Sequence, residues 1–128
     1  MKLAVFDSAW EYTLDTPYNS PLGGTQSAIC YFLEEMQLRG HDVYLFNKGS
    51  TIHSIIRGVH HVSATSYSSY IKENNLIFDL IIVSCLAQQV LELKMNLNSP
   101  QTMFALWTGH DIDQSPSKIL KDTKIQLK

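Results

Sequence analysis

"PLGGTQSAICYFLEEMQLRGHDVYLF", Pro21 to Phe46, is the stretch whose reading decides the fold. It passes from a paired-glycine turn, Gly23 and Gly24, through a helical pattern into an apolar run. Ile29, Phe32, Leu33 and Met36 fall on one stripe at i, i+3, i+4 and i+7, which predicts an amphipathic helix over Thr25–Arg39. Thr25 is the expected cap at its start, and Gly40 supplies the left-handed stop. Val43 to Phe46 is then apolar on both faces, as in a parallel strand covered on both sides.

The same alternation extends in both directions. Leu3–Phe6, Val59–Val62, Leu80–Val83 and Met103–Trp107 read as further strands. Ser66–Asn74 reads as a short helix with Tyr67, Tyr70 and Ile71 inward. Ala87–Met95 is another, with Val90, Leu91 and Leu93 apolar and "NLNSP" breaking it. Ser115–Lys121, with Pro116 in its first turn, is the last. Strands alternating with helices predict an α/β chain. Its expected form is one domain, a Rossmann-like, doubly wound parallel sheet of three layers (α/β/α), with the five strands ordered 3-2-1-4-5.

Composition narrows the functional classes. The chain of 128 residues is 45% hydrophobic and 17% charged, enough apolar material for a packed core and against disorder. A net charge of −2 offers no electrostatic footprint for nucleic acid. Cys30 and Cys85 are far apart and form no disulfide framework or zinc spacing, so both are expected as buried, reduced thiols. The start, "MKLAVFDSAW", reaches an acid too early for a signal peptide. "LIFDLIIVSCLA" carries Asp79 and is too short for a transmembrane segment. A cytoplasmic setting is the expectation.

In such sheets ligands bind beyond the carboxyl ends of the strands, where the strand order reverses. The loops that converge there hold Asp7–Gly24, Ser84–Ala87 and Thr108–Gln114. The first is long for a βα connection, where roughly 2–6 residues are usual, and it carries Trp10, Tyr12 and Tyr18. It is either a surface loop folded on its own aromatics or a wall that shapes a ligand pocket. Gly23 and Gly24 open a helix, where free N–H groups and the helix dipole favour anions. They are either a phosphate cradle or turn punctuation. The spacings of dinucleotide-binding and P-loop fingerprints are absent. His110 follows the fifth strand within "LWTGHDIDQ", and Asp111 and Asp113 form a D-x-D spacing that could hold Mg²⁺. The preferred reading has Asp111 orienting His110 and Asp113 starting the next helix, with no metal. His41, His53, His60 and His61 are expected to be solvated or locally bonded, with His53 in a loop.

Together "KLAVFD", the stretch Pro21–Phe46 and "ALWTGHDID" resemble the N-terminal half of a GT-B glycosyltransferase of the group-1, family-4 type. The resemblance spans nearly the whole chain. It implies that Gly23 and Gly24, with Thr25 in the same turn, face the diphosphate of a nucleotide-sugar donor. His110 would stand near the donor sugar with Asp111 as its neighbour, and Trp10, Tyr12 and Tyr18 would help form the acceptor pocket. The nucleotide sugar is a substrate, and no cofactor or metal is implied. Residues 1–128 then form an acceptor-side domain of a retaining enzyme whose donor-binding C-terminal domain is absent, so that the chain alone is inactive. "TKIQLK", an alternating pattern at the end, fits a chain cut from a longer one. For the full protein the resemblance allows peripheral membrane association, and an apolar C-terminal surface would favour self-association. Two other readings stay open: a non-catalytic nucleotide- or carbohydrate-binding module on the same half-fold, and a metal-assisted hydrolase using Asp7, His110, Asp111 and Asp113.

Overall fold

A computed structural model of the chain describes residues 1–49 and 53–108. Six strands form one mixed, mostly parallel sheet: β1 (Lys2–Asp7), β2 (Asp42–Asn47), β3 (His53–Ile56), β4 (Val59–Ser63), β5 (Leu80–Ser84) and β6 (Met103–Trp107). The order is β3-β4-β2-β1-β5-β6. β1 pairs in parallel with β2 and with β5, so the chain reverses its direction of travel across the sheet at β1.

This order differs from the expected 3-2-1-4-5, and the sheet is not wholly parallel. The addition is β3, which pairs antiparallel with β4 at the sheet edge. His53 therefore opens a strand and does not lie in a loop. The tight turn between β3 and β4 puts both Arg57 (φ 51°) and Gly58 (φ 76°) in the left-handed region, the backbone twist that two-residue hairpins require. The flexible end of the Gln37 side chain occupies the space where a Cβ on Gly58 would project.

The helices are α1 (Thr16–Asn19), α2 (Gly24–Leu38), α3 (Tyr67–Glu73, entered through a 3₁₀ turn at Ala64–Ser66) and α4 (Ala87–Leu97). α2 begins one residue before the predicted start, with Gly23 in the cap position and no side-chain cap. Thr25 is thus inside the first turn and is not the cap. At the other end His41 N–H donates to Met36 O at 3.1 Å and Gly40 N–H to Gln37 O at 3.0 Å. That paired closure needs the positive φ of Gly40, 93°. α4 runs through Asn96 and Leu97, and stops only where Asn98 turns left-handed at φ 46°.

Successive strand residues feed two separate cores, as a pleated strand dictates. Leu3, Val5, Val43 and Leu45 pack with Ile29, Cys30 and Leu33 of α2. Ala4, Phe6, Tyr44 and Phe46 pack with Ile71 of α3 and with Val90 and Leu93 of α4. Phe6 and Phe46 stack at 4.4 Å between ring centres. Ile29 and Leu33 are fully buried, each worth about 1.5–3 kcal/mol over an exposed position. Leu33→Ala would add a cavity and cost about 2–5 kcal/mol. The predicted helix Ser115–Lys121, His110, Asp111, Asp113 and "TKIQLK" lie outside the described residues.

Candidate functional site

Four adjacent parallel strands end on a buried polar residue: Ser63 on β4, Asn47 on β2, Asp7 on β1 and Ser84 on β5. Asp7 is level with Asn47 and Asn47 with Ser63, while Phe6 opposite Val83 sets Ser84 level with Asp7. A polar row thus crosses the carboxyl edge of the sheet, under the converging loops. Burial of such groups is tolerated where they are hydrogen-bonded. The Asp7 carboxylate, 2% exposed, accepts from Tyr12 Oη at 2.6 Å and Gln26 Nε2 at 3.3 Å. Asn47 Nδ2 donates to Tyr12 O at 2.6 Å, and the Ser63 hydroxyl pairs with that of Thr65 at 2.8 Å. Burial, and then the Asp7 charge, push the Tyr12 phenol far above its ordinary value. Tyr12 is a fixed donor and no acid.

The long loop after β1 is held as a wall. Leu14 N–H donates to His61 Nε2 at 3.1 Å, and His61 Nδ1 lies 2.9 Å from Val59 O. With one nitrogen accepting, the other must carry the proton, so His61 is a neutral imidazole in a defined tautomer. Burial holds its pKa below the ordinary value. Farther along, Arg57 reaches back from the hairpin turn to Asp15 at 2.8 Å and lies 3.9 Å over the Tyr18 ring. Tyr18 Oη donates to Glu34 of α2 at 3.0 Å.

The three loop aromatics therefore separate. Tyr12 is internal, Tyr18 belongs to the Arg57 clasp, and Trp10 is exposed at 57%. Only Tyr12 touches the cavity enclosed by the loop, β2, β3 and β4. This cavity, about 350 Å³, is lined by Thr13, Thr16, Ser54, Ser63, Asn47 and Glu11 among others. Its described lining offers hydroxyls, the Asn47 amide, the Glu11 carboxylate and the His61 imidazole, and no Lys or Arg. Neutral hydroxyl-bearing ligands match that lining, whereas anions would meet Glu11 without a countercharge.

The two glycines turn out to be unlike. A Cβ on Gly23 would come 2.8 Å from Gln26 Oε1, the far end of the side chain that reaches Asp7. A Cβ there would have to displace only the flexible end of Gln26, so packing favours glycine at position 23 without demanding it. Gly24 has no positive φ, and a Cβ there would meet nothing within 4 Å among the described residues. Neither the backbone nor any described neighbour requires glycine at position 24.

On the other side of β1, Cys85 links β5 to α4 with φ 62°, and its N–H donates to Trp107 O at 2.9 Å. It is half-buried, unlike the fully buried Cys30, whose thiol is pushed up to about 12 by burial first and by Asp7 second. Both thiols are free. Gln89 of α4 donates to Ser8 Oγ at 2.7 Å, tying α4 to the start of the long loop. His110 and Asp111 fall outside the described residues, so their distance from Gly23, Gly24 and Thr25 is not part of this geometry. Among the described residues no three His, Cys, Asp or Glu side chains come together to hold a metal ion. No helix there is long and apolar enough to cross a membrane.

The sequence singled out Asp7 and Tyr12, but not Asn47, His61, Ser54 or Ser63 as site residues. The available signal was that consecutive apolar strands each close on a polar residue. No protein family, curated protein or solved structure matches this chain.

Proposed function

We propose that the chain is the acceptor-side domain of a retaining, nucleotide-sugar-dependent glycosyltransferase with a Rossmann-like, three-layer sandwich. The observation that carries this reading is Gly24. It opens a 15-residue helix whose first turn has no side-chain cap, and a Cβ there would meet no described atom. A glycine that neither its backbone conformation nor any described neighbour requires fits a ligand approaching the helix start. Backbone N–H groups at that position favour a diphosphate. In transfer of a sugar, negative charge grows on the departing diphosphate, and preoriented donors stabilise it in the transition state. Thr25, in the same turn, can add a hydroxyl donor.

In this reading His110 and Asp111 serve the donor sugar, while the cavity beside Tyr12 receives the acceptor, with Trp10 and Tyr18 on the same loop. No protein nucleophile or metal is needed where the leaving phosphate assists the attacking hydroxyl. The donor-binding half comes from a second domain, and that half sets the donor's identity. The test is transfer by the protein carrying the downstream domain: His110→Ala and Gly24→Val each reduce turnover severely. Near-normal turnover in either variant removes that residue from the site.

A second reading, a non-catalytic nucleotide- or carbohydrate-binding module, draws on the same cavity lining. It predicts ligand binding without turnover when the downstream domain is supplied.

A further inference from the structure

β3 is the antiparallel strand at the sheet edge, and it carries two kinds of residue in alternation. Ser54 and Ile56 line the cavity, while His53 and Ile55 alternate with them along the strand. His53 Nε2 lies 2.9 Å from His60 Nδ1 of β4, with the rings stacked at 5.2 Å. His60 Nε2 lies 3.3 Å from Asp42 Oδ1, and Tyr44 stacks on the His60 ring at 4.3 Å.

Counting protons across this chain of contacts gives its behaviour. His60 Nε2 must carry a proton to donate to Asp42. For a neutral His60, Nδ1 is then the acceptor, and His53 Nε2 is the donor. A proton placed on His53 Nδ1 breaks none of these contacts. A second can go only to His60 Nδ1, where it meets the N–H of His53 head-on. Two donors then face each other across 2.9 Å, and two imidazolium charges adjoin. The surrounding groups do not rescue that state. Asp42 on β2 favours it but is already shared with Lys2 of β1 at 3.4 Å. Tyr44 and Tyr70 offer neutral phenols, and His61 on β4 is itself held neutral. Burial, foremost, resists the proton on His60.

The two ends of β3 are held differently. At the turn, Arg57 is anchored to Asp15, Glu34 and the Tyr18 ring. At the other end, the side-chain contacts of His53 among the described residues include His60 and Tyr70. We propose that the His53–His60 pair is a proton-operated latch on β3, closed with at most one added proton and released by the second, so that acidification withdraws Ser54 from the cavity wall. The latch depends on the hairpin geometry alone and stands whether or not the chain belongs to a transferase.

Hydrogen exchange of the chain, followed by mass spectrometry and corrected for the intrinsic pH dependence of exchange, tests it. Between about pH 7.5 and about pH 5, protection of peptides covering residues 53–56 should fall roughly tenfold while β2 stays protected. His53→Gln takes no charge and can present either its N–H to a neutral His60 or its Oε1 to a protonated one, so its protection should be the same at both pH values. Where that variant is already unprotected at the higher pH, His53→Asn supplies the same comparison with a shorter amide. Wild-type protection that does not change with pH overturns the latch. So does an equal loss in the uncharged variants.

Discussion

Tyr12 Oη donates a 2.6 Å hydrogen bond to Asp7, the buried carboxylate that ends β1. Through the same oxygen Asp7 also accepts from Gln26 in the first turn of α2. One carboxylate thereby joins the central strand, the long loop and the glycine turn. Tyr12→Phe leaves that carboxylate with Gln26 as its described side-chain donor, and the chain should lose about 1–3 kcal/mol of unfolding free energy in urea titration. An unchanged midpoint would mean that water replaces the hydroxyl at no cost.

Arg57 holds the far end of the loop through Asp15 and Tyr18 at the protein surface. Surface pairs of this kind contribute little to global stability. Arg57→Ala should therefore leave the urea midpoint nearly unchanged while amides of residues 14–19 exchange faster. Unaltered exchange in that segment would show that His61 and Asn47 suffice to hold the wall.

His60 and His61 both titrate below the ordinary imidazole value of 6.5, burial being the main cause. The unfolded chain therefore takes up protons first as pH falls. Stability should be full above that value and decline as pH drops through it, since protons bind preferentially to the unfolded state. Thermal unfolding across this range checks the sign. Ring nitrogen shifts should show His61 keeping its proton on Nδ1 until the decline begins.

The cavity lining predicts selectivity by charge. In amide-shift titrations, glucose or myo-inositol at millimolar concentration should move Ser54, Ser63 and Thr16. Glucose 6-phosphate should move them less, because Glu11 faces it without a described lining Lys or Arg. Stronger shifts with the phosphate would reverse the reading of that pocket.

Much of the frame was legible because it rests on periodicity. Apolar runs marked the five parallel strands, and the Ile29–Met36 stripe with Gly40 marked α2. β3 was hidden because "HSII" has its apolar residues adjacent and at an exposed edge, where burial leaves no period. α4 outran its predicted end because Asn98, and not the first asparagine of "NLNSP", takes the left-handed cap. The site was less legible for a different reason. Asp7, Tyr12, Gln26, Asn47 and His61 are brought together by tertiary pairing, and no local spacing encodes that. Only the paired glycines announced themselves locally, and their surroundings differ: the Gln26 amide crowds Gly23, while no described atom crowds Gly24.

Gly24 is therefore where the central claim is most exposed. The direct measurement is titration of the protein carrying the downstream domain with UDP, GDP and ADP, following the amides of residues 23–27 in wild type and in Gly24→Val. Those amides should shift with at least one diphosphate. The shifts should be lost in the variant, whose folding stability should stay within about 0.5 kcal/mol of wild type. Absence of shifts with every diphosphate, or equal shifts in both proteins, would contradict it and leave Gly24 as turn punctuation.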